Sequence, residues 1–262
     1  MIVHNCVQTS AEWWELRRGL PTASEFSRIM TPAKRVYSGA APKYQDQLLS
    51  EHLSLEPNYY SKFGPHNPNI EHGKETERAA RDWYELTTGH TVRQVGFITD
   101  DDGFFGCSPD GLIANAGTIE TAIDPAVLAS EYAGGLELKC PRLDTHLGWL
   151  RQPDRIPRDH QCQVYGSLLI SGLPWWDFMS YAVGAEPLVV RATIEDDFLI
   201  YLAGCCLRFK AEYELILAKH CPDWRERKAR NLLAFRVEKV DYDQPYEYGT
   251  EPADEGRYVP EF

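Results

Sequence analysis

The sequence predicts an α+β fold: a mixed, curved central sheet flanked by helices. Three observations carry that expectation. IEHGKETERAARDWYELTTG (70–89) repeats its small and apolar residues with helical period, and TVRQVGFIT and FFGCSPDGLIA follow it with strand composition. Later, WWDFMSYAV and LVVRATI read as an antiparallel strand pair. A long helix then runs from about Asp196 to His220. The mixture excludes an all-β or a purely helical architecture. A length of 262 residues with 43% hydrophobic content suffices for one generous domain or two small ones.

Taken in order, Ser10 caps a short helix carrying Trp13, Leu16 and Arg17, with Gly19 near its end. Thr22-Ala-Ser-Glu25 reads as a capping box for a second helix reaching Ile29. TPAKRVYSGAAP is a loop before a helix from about Lys43 to Leu55, and EPNYYSKFGPHNPN is too rich in Pro, Gly and Asn to be regular. In the helix at 70–89, Ile70, Gly73, Glu77, Ala80 and Tyr84 share one face, apolar or small apart from Glu77, and Gly89 stops it. DDDG (100–103) is an acidic turn, 115–134 is irregular, and DHQCQVYGSLLISG is helical. Residues 1–237 are expected to form one domain containing an insertion at about 114–135, followed by an acidic, aromatic tail at 238–262.

No stretch has the length and apolarity of a membrane span, and no secretory leader is recognisable at the N-terminus. Seven irregularly placed cysteines without CxxC spacing favour free thiols and a cytoplasmic setting. His4/Cys6 and His160/Cys162 are short fragments that do not make a zinc pattern. The net charge of −12 predicts weak non-specific binding to nucleic acid, but half of the excess lies in residues 238–262. Basic residues cluster at Arg17-Arg18, Lys34-Arg35, Arg151/Arg155/Arg158 and RERKAR (225–230), so local positive grooves remain compatible with the total.

The chemistry concentrates in GGLELKCP, Gly134 to Pro141. Strand alternation turns Leu136 and Leu138 one way and Glu137 and Lys139 the other, with Gly134-Gly135 and Pro141 as boundaries. The commonplace explanation is a half-exposed strand whose polar face meets water. Asp110 in CSPDGL sets against it a second carboxylate that an adjacent strand would bring to the same point. Two carboxylates, Asp110 and Glu137, with the carbonyl of Leu138, suit a hard, oxygen-seeking cation such as magnesium. Lys139 is then placed to orient or help deprotonate an attacking water and to offset charge at a phosphate.

Pro109-Asp110 with Glu137-Leu138-Lys139 is similar to the PD-(D/E)XK nuclease motif. WWELRRGLPTASEF, HGKETERAARDWYELTTG, CSPDGL, LELKCP and HQCQVYGSLLISG stand in the order found in the phage lambda exonuclease group, or YqaJ-type viral recombinase nucleases. The resemblance covers about residues 10–185. It implies a restriction-endonuclease-like core and a magnesium-dependent exonuclease (manganese substituting) that resects one strand of linear duplex DNA 5′ to 3′. It also implies phage or prophage origin, a single-strand annealing partner for recombination, and a ring-forming homotrimer.

Carried over by residue, the resemblance makes Asp110, Glu137 and Lys139 catalytic, with Asp110, Glu137 and Leu138 holding metal. Glu77 supports the metal and its waters, and Gln161 is the glutamine of a QxxxY-like signature completed by Tyr165. Arg17, Ser24 and Ser108 bind the terminal 5′-phosphate. Independently, Ser24 falls in the first turn of the predicted second helix, where free N–H groups attract anions, and Arg17 or its rival Arg18 supplies a phosphate fork. The insertion at 114–135 and the tail depart from the family pattern. Two alternatives differ in class: a RecB-like PD-(D/E)XK nuclease of other polarity, and a non-catalytic DNA-end-binding module.

Overall fold

A computed structural model describes residues 1–54, 68–115 and 131–240, with the backbone alone for 68–75 and 234–240. Most of the predicted 114–135 insertion and the tail beyond Val240 lie outside the described residues. The described strands are β1 (Ile2–His4), β2 (Met30–Thr31), β3 (Val36–Tyr37), β4 (Val92–Arg93), β5 (Phe97–Thr99), β6 (Gly106–Cys107), β7 (Gly111–Ala114), β8 (Tyr132–Lys139), β9 (Trp175–Ser180) and β10 (Leu188–Thr193). The helices are α1 (Ala11–Arg17), α2 (Ala41–Leu53), α3 (Pro68–Thr88), α4 (Leu143–Trp149), α5 (Arg158–Ser171), α6 (Asp197–His220) and α7 (Trp224–Val240), with a 3-10 helix at Ala23–Arg28.

The main sheet has the order β10-β9-β8-β7-β4. Only the β8–β9 pair is parallel, with Glu137 opposite Phe178 and Lys139 opposite Ser180. A parallel pair needs a crossover, which α4 and α5 supply. The sheet is therefore mixed, as the sequence predicts, and β8 occupies its centre. A second sheet, β1-β5-β6, and the β2–β3 hairpin complete the strands described. TVRQVGFIT is not one strand: it breaks at Gly96, where a Cβ would meet the Cys6 carbonyl, and β4 and β5 join different sheets.

Gly134 and Gly135 lie inside β8 rather than bounding it. A Cβ at either position would collide with the indole of Trp175 or Trp176 at 2.4 Å, so the glycines admit two tryptophans onto the strand. The box Thr22-Ala-Ser-Glu25 does not cap an α-helix. The segment is 3-10, Thr22 makes no side-chain cap bond, and Glu25 pairs with Arg28 instead. The Ser10 cap does form, its Oγ accepting from Trp13 N at 3.2 Å. Residues 238–240, assigned by sequence to the tail, belong to α7.

Helix α3 seats Ala80 and Tyr84, both fully buried, on the sheet. The Tyr84 hydroxyl donates to Asp177 Oδ2 at 2.7 Å, and Arg191 donates to both Asp177 oxygens at 2.8 Å. Asp177 on β9 is 2% exposed, so this bidentate pairing and the phenol offset the cost of its burial. The same contact anchors α3 two turns beyond Glu77. Tyr84→Phe removes a bond to a buried charge and is expected to lower unfolding free energy by about 1.5–3 kcal/mol in urea denaturation. An unchanged midpoint would show that the helix is held elsewhere.

Candidate active site

Strand β8 delivers Glu137 and Lys139 to one face at the centre of the sheet. Glu137 is 1% exposed, so the solvated-strand explanation fails. Its Oε1 accepts from Lys139 Nζ and, at 2.6 Å, from Gln163 Nε2 on α5. Its Oε2 is buried without a hydrogen-bond partner among the described residues. Asp110 directly precedes β7, and its Oδ2 accepts from Leu138 N at 2.7 Å. The flanking strands β6 and β7 lie in different sheets, so Asp110-Gly111 is not a hairpin turn.

Electrostatics tie these groups together. Burial pushes the Glu137 carboxyl up to about 7 against the pull of Lys139, with Asp110 and Glu77 adding to the rise. Burial also raises Asp110, opposed by Lys139, the Leu138 N–H and Arg81. Burial disfavours the Lys139 ammonium, but Glu137, Asp110 and Glu77 more than compensate and hold it protonated. Glu77 thus acts electrostatically on Glu137 and Lys139 from α3.

Arg81, one turn beyond Glu77, is a second cation that sequence reasoning missed. The side-chain oxygen of Gln94, in its hydrogen-bonding orientation, accepts from Arg81 at 2.9 and 3.2 Å. The i,i+4 spacing from Glu77 was the available signal.

Gln161 does not join this group. It donates to the Ile156 carbonyl at 3.1 Å, while Gln163 holds Glu137. Two residues rotate about 200° around a helix, so these glutamines cannot serve the same point. Tyr165, the other half of the proposed signature, donates to Asp196 at 2.8 Å. The glutamine at the Glu137 carboxylate is Gln163. His160 stacks on Phe178 and the Cys162 thiol meets the Met30 carbonyl, so they do not form a metal pair.

A second cluster adjoins the first. Arg17 Nη1 donates to Ser108 Oγ at 2.9 Å, and Nη2 reaches Thr22 Oγ1 at 3.3 Å and Ser24 Oγ at 3.4 Å. Trp13 Nε1 donates to the same Ser108 oxygen at 3.0 Å, and the guanidinium lies over the Trp13 ring at 4.5 Å. The structure therefore gathers Arg17, Ser24 and Ser108 and adds Thr22, whose hydroxyl is used here rather than as a cap. Arg18 turns away, donating to the Glu51 and Ser54 carbonyls. Ser108 and Asp110 are two residues apart, so at most about 7 Å of chain separates the clusters.

Among the described residues, no three His, Cys, Asp or Glu side chains are grouped to hold a metal by themselves. The set nevertheless fits a hard cation: two carboxylates of different strands converge, and one buried oxygen of Glu137 is unsatisfied. The Leu138 main chain lies beside Asp110, where its carbonyl could supply a further oxygen.

The family model of the YqaJ-like viral recombinase domain matches residues 12–174, spanning both clusters. The chain belongs to this family. No curated protein matches it in sequence. In structure this YqaJ-type chain is similar to an alkaline exonuclease, LHK-Exo, from Laribacter hongkongensis, at 25% identity and TM-score 0.56. The alignment covers 80% of this chain and 97% of that one, with the same values for LHK-Exo in complex with dAMP. A phage-related exonuclease from Haemophilus somnus 129PT aligns over 76% of this chain and 96% of its own, at 11% identity and TM-score 0.42, and carries no argument.

Two predictions follow from the geometry. A cation entering between Asp110 and Glu137 must displace the proton that Glu137 holds below about 7. Calorimetric affinity for a divalent cation should fall about tenfold per pH unit below that value and level off above it. Further, Gln163→Ala is expected to alter that affinity and Gln161→Ala to leave it unchanged. The opposite result would restore Gln161 to the site.

Proposed function

We propose that this YqaJ-type chain is a DNA exonuclease that hydrolyses linear duplex from a 5′ end. The observation that carries the proposal is the buried Glu137 carboxylate. It shares Lys139 with Asp110 and leaves one oxygen unsatisfied, and Asp110 lies two residues of chain from Ser108 of an arginine–hydroxyl cluster. Asp110, Glu137 and the carbonyl of Leu138 would hold magnesium, with manganese as a substitute and Glu77 supporting its waters. The bound cation supplies Lewis-acid activation of water and phosphate.

The chain's own groups do the rest. Lys139, held protonated by its carboxylates, orients the water and offsets charge accumulating on the phosphate oxygens. Gln163 fixes one oxygen of Glu137 and so leaves the other directed to the cation. Arg17, Ser108 and Ser24, with Thr22, take the terminal 5′-phosphate through a guanidinium fork and hydroxyls. Seating that phosphate beside Ser108 brings a neighbouring phosphodiester to Asp110, which gives a 5′-to-3′ direction.

The product is a 3′ single strand, the substrate of an annealing protein. We therefore assign the chain to phage-type recombination beside such a partner, in the host cytoplasm, and as a ring-forming homotrimer. No helix among the described residues is long and apolar enough to cross a membrane. The nuclease unit would extend through α7 to Val240, with the acidic segment appended after it.

Asp110→Ala, Glu137→Ala or Lys139→Ala should each leave a folded protein whose digestion of linear duplex in magnesium is at least 100-fold slower, as expected for groups that act as one unit. Wild type should digest 5′-phosphorylated ends faster than 5′-hydroxyl ends and spare circular duplex. Arg17→Ala should lose most of that preference while retaining cleavage. Equal wild-type rates on both ends would remove the phosphate pocket, and rapid digestion by Asp110→Ala would remove the catalytic assignment.

A further inference from the structure

We infer that a second nucleic-acid subsite, built by the α4–α5 connection, holds a nucleotide of the single strand next to the scissile phosphate. This rests on the proposed exonuclease reading and adds a site to it. The connection and its flanking helix ends enclose a cavity of about 310 Å3 lined by Trp149, Gln152, Arg155, Arg158, Asp159 and Gln161. That size falls at the lower end of small-ligand pockets. Arg155 and Arg158 are exposed and Trp149 is half-buried, so two guanidinium forks and an aromatic surface face one concavity. Base stacking on an aromatic with cationic tracking of the backbone is how single strands are held without sequence preference.

The position links this cavity to the cleavage site. Trp149 packs edge-on against Phe178, ring centroids 5.9 Å apart, and Phe178 is the β9 residue opposite Glu137. His160 stacks on the same Phe178 and meets Trp149 edge-on at 5.2 Å. The charge of Lys139 reaches His160, which burial and that charge keep neutral. One helix therefore presents Gln163 to the metal carboxylate and, from another face, Gln161 to the cavity.

Gln161 also fixes the cavity's rim. Its amide holds the Ile156 carbonyl, so the loop carrying Arg155 is tied to the helix that bears Arg158 and serves Glu137. Asp159 is the one acid in the lining and opposes a free anion more than a strand whose base and phosphate are spread across the cavity. A strand is accordingly the occupant, and a free mononucleotide is the competing source of the same chemistry.

The test uses the full chain in EDTA, without cleavage, and a short fluorescein-labelled oligothymidylate. Arg155→Ala/Arg158→Ala should bind it about tenfold more weakly, with a salt slope flatter by about 1.4 for two lost phosphate contacts on a single strand. Oligothymidylate should quench tryptophan emission in wild type and quench it less in Trp149→Phe. Thymidine 5′-monophosphate should compete poorly. Unchanged affinity and slope in the double variant, unchanged quenching in Trp149→Phe, or equal competition by the mononucleotide would each overturn the inference. Binding here requires no cleavage, so a digesting Asp110→Ala protein would defeat the catalytic assignment without touching this result.

Discussion

The burial of Glu137 in the central strand is the constraint on which the rest depends. A carboxylate that is 1% exposed is tolerable only when its charge is matched or its proton retained. Lys139 supplies the match from the same strand face, Gln163 supplies a neutral donor, and Asp110 presses back with a second negative charge. The remaining unsatisfied oxygen is the energetic reason to admit a divalent cation. The site is thus incomplete in electrostatic terms, and the proposed metal binding would be the other side of that cost.

Such a site needs a stiff frame, because a small displacement of either carboxylate changes the balance. The frame is built from a second buried charge. Asp177, one strand over, takes Arg191 in bidentate fashion and the Tyr84 hydroxyl, fixing α3 and with it Glu77. Trp175 and Trp176 lie on Gly134 and Gly135 of β8, so packing limits movement of the strand that carries the catalytic pair. On the other side Gly166 lets α5 approach Phe26 and Ala23 of the 3-10 segment, joining Gln163 to the element that bears Ser24. The buried carboxylates and the arginine–hydroxyl cluster belong to one packed unit.

Much of this was legible in sequence, and the failures have physical causes. Glu137 and Lys139 stood out because strand alternation fixes which side chains share a face, and Asp110 because CSPDGL precedes a second strand. Glu77 stood out as the lone carboxylate on an otherwise small or apolar helix face. Gln161 and Gln163 could not be separated in the same way. Helix α5 buries Cys162, Val164, Gly166, Ser167 and Leu168, so its apolar pattern runs almost all round and sets no clear phase. Thr22 looked like a cap because capping needs only a hydroxyl at the right spacing, whereas Arg17, distant in no local pattern, claims that hydroxyl. Gly134-Gly135 read as a boundary because the tryptophans that require them lie some forty residues later. Helix α7 escaped notice because its first half, RERKAR, reads as a charge cluster without an apolar stripe.

The net charge of −12 is intelligible under the end-recognising role proposed above. Affinity for the length of a duplex grows with the number of phosphates neutralised, and an acidic chain neutralises few. Under the proposed function it would have little hold on internal DNA and would gain its binding from contacts that exist only at an end. The Arg17 fork, shared among Ser108, Thr22 and Ser24, suits a terminal phosphate rather than a continuous backbone. Lys139 is already committed to the carboxylates of Glu137 and Asp110, so it offers little free positive charge to a DNA backbone. On the proposed function, acidity of the whole and basicity at a few ordered points would act together: the first would suppress idle association along DNA, and the second would reserve binding for an end that can be cut.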